Sequence, residues 1–223
     1  VIVTDYGVVA VRRDSPLRTL PDVLAALRRD PRAVVFGAGG TLGSQDWFKA
    51  ALLARAAGVS HRLMRFVAFE GGGDALVALE GGHVQVFTGD AAELTQHLAR
   101  PGRADGSGTG GRGGAGDLRV VAVLSEARLS GPLAAVPTAR EQGVDLVWPT
   151  ARGLYLGPRV PDAARREWAE QLRRATQAPG YAQALADAGL YPLTLFGDEL
   201  QQFVAGQMQR YRALAAEFEL PKR

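Results

Sequence analysis

Between Val34 and Leu98 one pattern occurs three times: an apolar run, a cluster of small residues, then helical periodicity. Val34-Val35-Phe36 runs into Gly37-Ala38-Gly39-Gly40-Thr41-Leu42-Gly43, and a helix is expected from Gln45 to Ala57, stopping at Gly58. A strand over Leu63 to Phe69 leads through Glu70-Gly71-Gly72-Gly73 into a helix from Asp74 to Glu80, closed by Gly81-Gly82. A strand over Val84 to Phe87 leads through Thr88-Gly89-Asp90 into a helix from Ala91 to Leu98. Strands alternating with helices in this way wind into an open, mostly parallel α/β sheet, because a parallel neighbour is reached only by a crossover. Parallel strands then carry all three loops to one edge, where such sheets bind ligands.

The chemistry available on that edge follows from what a helix start lacks. The first N–H groups of a helix have no partner within it, and the macrodipole adds positive potential behind them. Three loops of this kind on one rim suit an anion better than one would. The alternative for each loop is a tight turn with a capped helix and no ligand, and Ser44 can serve either purpose, as a cap or as a ligand hydroxyl. Trp47 and Phe48, at helical spacing with Ala51 and Leu52, are expected in the core.

The flanking sequence extends the α/β pattern. Tyr6 to Val11 reads as a strand, and Thr19 or Leu20 as the start of a helix with Pro21 in its first turn, ending at Asp30-Pro31. Arg100 to Asp117 is low-complexity and Gly-rich, expected as a mobile surface loop. Leu118 to Leu124 is a further strand, and Pro137 to Gly143 a short helix with a glycine stop. Beyond Trp148 the sequence turns helix-rich, which places a lobe boundary there. Helices are expected over Pro161 to Thr176, with Trp168 and Leu172 inward, and over Tyr181 to Ala188. A strand over Leu193 to Phe196 then precedes a final helix capped by Asp198, with Leu200, Phe203, Val204, Met208, Tyr211 and Leu214 on one side.

Composition narrows the function classes. A net charge of +3, with Arg spread along the chain and no basic-aromatic stripe, does not point to nucleic acid. The absence of cysteine excludes disulfides and thiolate metal sites, and is compatible with an oxidising compartment. No apolar run approaches a membrane span, and no signal peptide is visible. The opening residues, Val1 to Tyr6, already read as the inside of a fold, which suggests a fragment or a processed chain.

Catalytic signatures are weak. Gly37 to Gly43 also fits G-x-x-G-x-x-G, the dinucleotide loop of short-chain reductases, and this is the rival reading. No acidic residue follows at the end of the next strand about 20 residues on to hold a ribose, no Tyr-x-x-x-Lys occurs, and the P-loop Gly-Lys-Ser/Thr is absent. His61, His83 and His97 show no metal-ligand spacing, and there is no Gly-x-Ser-x-Gly elbow. Neither a catalytic group, a metal nor a cofactor is expected.

Several segments together resemble the periplasmic solute-binding receptors of tripartite tricarboxylate transporters, the Bug/TctC-like family. They are Phe36 to Gly58, Phe66 to Leu76, Leu79 to Val84, Leu118 to Val123, Val136-Pro137-Thr138-Ala139-Arg140-Glu141-Gln142-Gly143-Val144, and Arg152-Gly153. The resemblance implies a two-lobed periplasmic-binding-protein-like fold, each lobe a mostly parallel sheet flanked by helices. It also implies a small di- or tricarboxylate held between the lobes by hinge closure, and delivery to the transporter's membrane subunits by a monomeric receptor. The contacts it suggests are Gly39, Gly40, Thr41, Gly43, Ser44 and Gln45 on the first loop, Gly71, Gly72 and Gly73 on the second, and Thr88, Gly89 and Asp90 on the third. Arg152 has two open roles, pairing a ligand carboxylate or forming an ion pair at the hinge. Two departures stand out. Ser44-Gln45-Asp46-Trp47 replaces the Gly-Thr-Asp-His that relatives often carry, and the first lobe's opening strands are absent. Residues 13–152 are therefore expected to form one complete lobe. Residues 1–12 and 153–223 are expected to supply crossing strands and the C-terminal part of the other, incomplete lobe.

Overall fold

The computed structural model describes residues 1–99 and 118–220; the expected loop from Arg100 to Asp117 lies outside them. The chain divides into two compact units: Val1–Asp5 with Thr150–Arg223, and Tyr6–Pro149. Its strands are β1 (Val3–Tyr6), β2 (Val8–Arg12), β3 (Val35–Gly39), β4 (Arg65–Phe69), β5 (Val86–Phe87), β6 (Leu118–Val123), β7 (Pro149–Arg152) and β8 (Tyr191–Pro192). Its α-helices are α1 (Leu20–Arg29), α2 (Gln45–Ala56), α3 (Gly72–Glu80), α4 (Ala91–Ala99), α5 (Asp162–Thr176), α6 (Tyr181–Asp187) and α7 (Gly197–Glu217).

The unit Tyr6–Pro149 is built on a five-stranded sheet in the order β4-β3-β5-β2-β6. β3 runs parallel to both β4 and β5, so the three strands that feed the glycine loops point the same way. β2 reverses direction and pairs antiparallel with β5 and β6. Its Val8 to Val11 stretch is wholly buried, which explains a run of apolar residues without alternation. The expected complete lobe begins at residue 13, whereas this unit also includes β2, whose ladder lies in this sheet.

Local chemistry sets the helix ends. Thr19 caps α1 in a capping box with Asp22, each side chain bonding the other's backbone N–H. Thr138 and Glu141 make the same reciprocal pair, the Thr138 N–H donating to Glu141 Oε2 at 2.7 Å and the Glu141 N–H to Thr138 Oγ1 at 3.0 Å. The turn that follows is a single 3-10 turn, Arg140–Gln142, stopped by Gly143 at φ +80°. α2 has no single apolar stripe: every residue from Trp47 to Ala54 is buried. Phe48 stacks on Trp148 at 6.1 Å, and Trp47 meets Phe48 edge-on.

The other unit carries a three-stranded sheet, β7-β1-β8, with β1 and β8 antiparallel. Here the sequence expectations need correction. The last strand is the two-residue β8 rather than Leu193 to Phe196. α7 is capped by Phe196, which offers no side-chain bond, and Asp198 sits in its first turn. Trp168, expected inward, is 49% exposed, and Met208 is 48% exposed. α5 buries no residue, and α7 buries Leu214. Periodicity identifies the apolar face of a helix, not what covers it.

Candidate functional site

The three glycine loops meet at one edge of the five-stranded sheet. Gly40 has φ +78°, a conformation suited to glycine, and its N–H donates to the Phe69 carbonyl at 2.9 Å. This ties the loop after β3 to the end of β4. A Cβ added to Gly39 would stand 3.4 Å from the Gly72 nitrogen, so the first and second loops touch. A Cβ on Gly72 would collide with the Glu93 carboxylate, and one on Gly89 would lie 2.8 Å from Glu93 Oε2. Glu93, in the first turn of α4, therefore stands where the second and third loops converge.

The loops differ in how much of their polar chemistry is already used. Ser44 caps α2: its Oγ accepts from the Trp47 N–H at 3.2 Å and donates to the Gly39 carbonyl at 3.4 Å. Thr88 Oγ1 donates to the Asp46 carbonyl at 3.4 Å. Thr41 and Gln45 are exposed, and Gly43 takes a left-handed φ of +81° between them. By contrast, Gly71 opens α3 with extended backbone and no side-chain cap, and Gly73 is exposed with open space around its Cα. Of the two longer loops, only the second presents a helix start without a side-chain cap, the arrangement that favours an anion.

Beneath the loops lies a charged cluster that the sequence reading missed. Lys49, its side chain fully buried, places Nζ 2.7 Å from Asp46 Oδ1 and 2.6 Å from Asp90 Oδ1. It also donates to the Gly89 carbonyl at 2.8 Å. Burial pulls the Lys49 pKa down, but the charges and hydrogen bonds of Asp90 and Asp46 outweigh it, so the net direction is upward and the ammonium form is held. Asp46 moves up as well: desolvation outweighs the attraction of Lys49. Glu93 is also shifted up, chiefly by burial and further by the charges of Asp46 and Asp90. One ammonium thus faces three carboxylates at this edge.

A lysine within a helix ordinarily reads as a solvated face, so only its long-range partner reveals Lys49. Glu93 had a local signal: Asp90-Ala91-Ala92-Glu93 has capping-box spacing, and the Asp90 N–H donates to Glu93 Oε2 at 3.2 Å.

Arg152 belongs to the other unit. There its Nη2 donates to Asp5 Oδ2 at 2.7 Å, and the Asp5 side chain is wholly buried. The histidines are scattered, as their spacing implies: His61 meets Trp47 edge-on, His97 Nε2 lies 2.9 Å from Glu80 Oε1, and His83 is exposed.

Solved structures share this fold. A TctC solute-binding protein from Polaromonas is 24% identical, with a TM-score of 0.69, over 97% of this chain and 67% of that one. A protein of R. palustris solved with adipate is 20% identical, with a TM-score of 0.79, over 98% and 67%. MatC of Rhodopseudomonas palustris, solved with malate, is 20% identical, with a TM-score of 0.72, over 95% and 67%. A Cupriavidus necator protein described as a UPF0065 protein in the gbd 5' region is 23% identical over 217 residues. The chain spans 60% of the length of that curated relative. The model of the tripartite tricarboxylate transporter family receptor, TctC, matches residues 1–220, and the chain belongs to that family.

Proposed function

We propose that this chain captures a small organic acid of the di- or tricarboxylate type at the loop edge of the unit Tyr6–Pro149. In this reading it is part of an extracytoplasmic receptor that delivers the acid to the membrane subunits of a tripartite tricarboxylate transporter. The observation that carries the reading is the meeting of Gly39–Gly40, Gly71–Gly73 and Gly89 at one edge, with the start of α3 uncapped. An acid carboxylate would take the bare N–H groups there, while Gln45 and Thr41 lie exposed on the neighbouring loop. Adipate and malate in two relatives of the same fold support the ligand class. Neutral backbone dipoles suit a receptor, since they hold an anion without fixing it against release. Among the described residues no helix is long and apolar enough to cross a membrane.

Titration calorimetry with adipate, L-malate, citrate and NADPH tests this. Saturable binding of at least one acid, and none of NADPH, is the expected result. Binding of NADPH alone would replace the receptor reading with the dinucleotide one.

A further inference from the structure

We propose that the unit Tyr6–Pro149 holds a second binding site, remote from the glycine loops, for a monocarboxylate carried on a compact apolar body. The site is a cavity of about 430 Å³ between α1, the last turns of α2 and residues 142–146. Gln45 opens α2 beside the first glycine loop, whereas Arg55, on the cavity wall, lies roughly 15 Å away along the helix axis. The volume falls within the range of small-molecule pockets, towards its lower end, which suits a compact ligand.

The walls are fixed by bonds of their own. Gln142 Oε1 accepts from the Leu20 N–H at 3.0 Å, and its Nε2 donates to the Val121 carbonyl at 2.9 Å, tying the turn to the start of α1 and to β6. Gly143, at φ +80°, reverses the chain, and the Val144 N–H donates back to the Ala139 carbonyl at 2.9 Å. Leu24, Leu52, Val144 and Leu146, all buried, give the cavity an apolar floor.

Charge sets the polarity of the ligand. Arg28 and Arg55 line the cavity together with Asp145, whose Oδ1 is taken by Arg140 Nε at 2.8 Å. Arg28 Nε donates to the Ala57 carbonyl at 3.2 Å, which fixes the guanidinium across the ends of α1 and α2. Among the described residues its two terminal nitrogens have no acceptor. The helix dipole accounts for cations in these last turns. It leaves unused the paired terminal N–H groups, whose spacing matches the two oxygens of a carboxylate. A second carboxylate would lie on the apolar floor and lose its hydration without a partner. This site therefore takes a monoacid with an apolar body, a class distinct from the diacids of the loop edge.

Amide NMR titration of the full chain with benzoate tests this, because it reports where the ligand sits. Saturable shifts at Gly143 to Leu146 and in the last turn of α2, with none at Gly71 to Gly73, are expected. Benzamide, similar in size but neutral, should bind at least about tenfold more weakly, the effect of losing charge-assisted bonds. Arg28→Met should weaken benzoate by a similar factor. Arg28→Lys keeps the charge but loses the planar pair of donors, and should lie between Arg28→Met and the parent. Ala56→Trp retains both arginines and fills the cavity from an exposed position, so it should abolish the shifts. Arg28 is exposed as well, so each substitution stands in for the other should one variant fail to fold. No saturable shift with benzoate, or shifts confined to the glycine loops, overturns the proposal. So does an equal response to benzamide, or benzoate binding that survives both Arg28→Met and Ala56→Trp.

Discussion

Lys49 Nζ lies 2.6 Å from Asp90 Oδ1, joining the interior of α2 to the residue that precedes α4. Through this contact the loop edge is braced from below, since the same ammonium holds Asp46 and the Gly89 carbonyl. The glycine loops thus rest on an ionic floor rather than on apolar packing alone.

Removing the cation should therefore be costly. Lys49→Met leaves Asp46 and Asp90 without the charge between them. Breaking a buried ion pair from one side costs about 3–5 kcal/mol. Urea unfolding should show the loss, while Arg165→Ala, which removes an exposed pair with Asp162, should change stability by no more than about 1 kcal/mol. Equal effects from the two substitutions would contradict the brace.

Glu93 makes a pH prediction whose sign follows from its raised pKa. The folded chain holds the Glu93 proton to a higher pH than the unfolded chain does, where the group titrates near its ordinary value of 4.5. Across that window the folded state binds more protons, so stability falls as pH rises from about 4.5. Asp46 acts in the same direction from its own ordinary value of 3.8. Glu93→Gln should be more stable than the parent at pH 7 and show a flatter decline between pH 4.5 and 7. Thermal melts across that range would settle it, and an unchanged slope would place the dependence elsewhere.

Two glycines on the same edge should respond differently to alanine. Gly40→Ala must adopt φ +78° and would bring a Cβ to 2.8 Å from Ser44 Cβ. A left-handed residue with a side chain costs roughly 1–2 kcal/mol. Gly73→Ala meets open space in a helical first turn, so it should be neutral or slightly stabilising. Melting temperatures of the two variants, measured side by side, check the contrast.

The alternation of strand, glycine loop and helix was legible because period and punctuation are local properties. β3, β4 and β5 with their following helices lie where the glycine clusters imply. Lys49 was not legible, because its burial depends on Asp90, distant in sequence, and on α2 being enclosed on every side. Asp90 read as a loop residue and a suggested ligand contact, whereas its carboxylate accepts from the buried Lys49. Trp168 and Met208 show the opposite failure. Their spacing marks an apolar face correctly, yet both stand about half exposed, because amphipathicity says nothing about a covering layer. Leu193 to Phe196 has strand-like composition, but the β1–β8 ladder pairs Val3 with Pro192 and Thr4 with Tyr191, and beyond it Leu195 exchanges backbone hydrogen bonds with Val1 without extending the strand.

β1 is the middle strand of β7-β1-β8, yet both of its neighbours come from beyond residue 148. During synthesis the Tyr6–Pro149 unit can close from one uninterrupted stretch. Val3 to Asp5 meets its β7 and β8 partners only once the stretch from Pro149 to Pro192 has been made. Domains complete themselves in the order their segments emerge, so maturation should be sequential: the glycine-loop unit first, the three-stranded sheet last. A nascent chain stalled near Pro149 would then carry a finished loop edge, with Val3 to Asp5 not yet paired to β7 and β8.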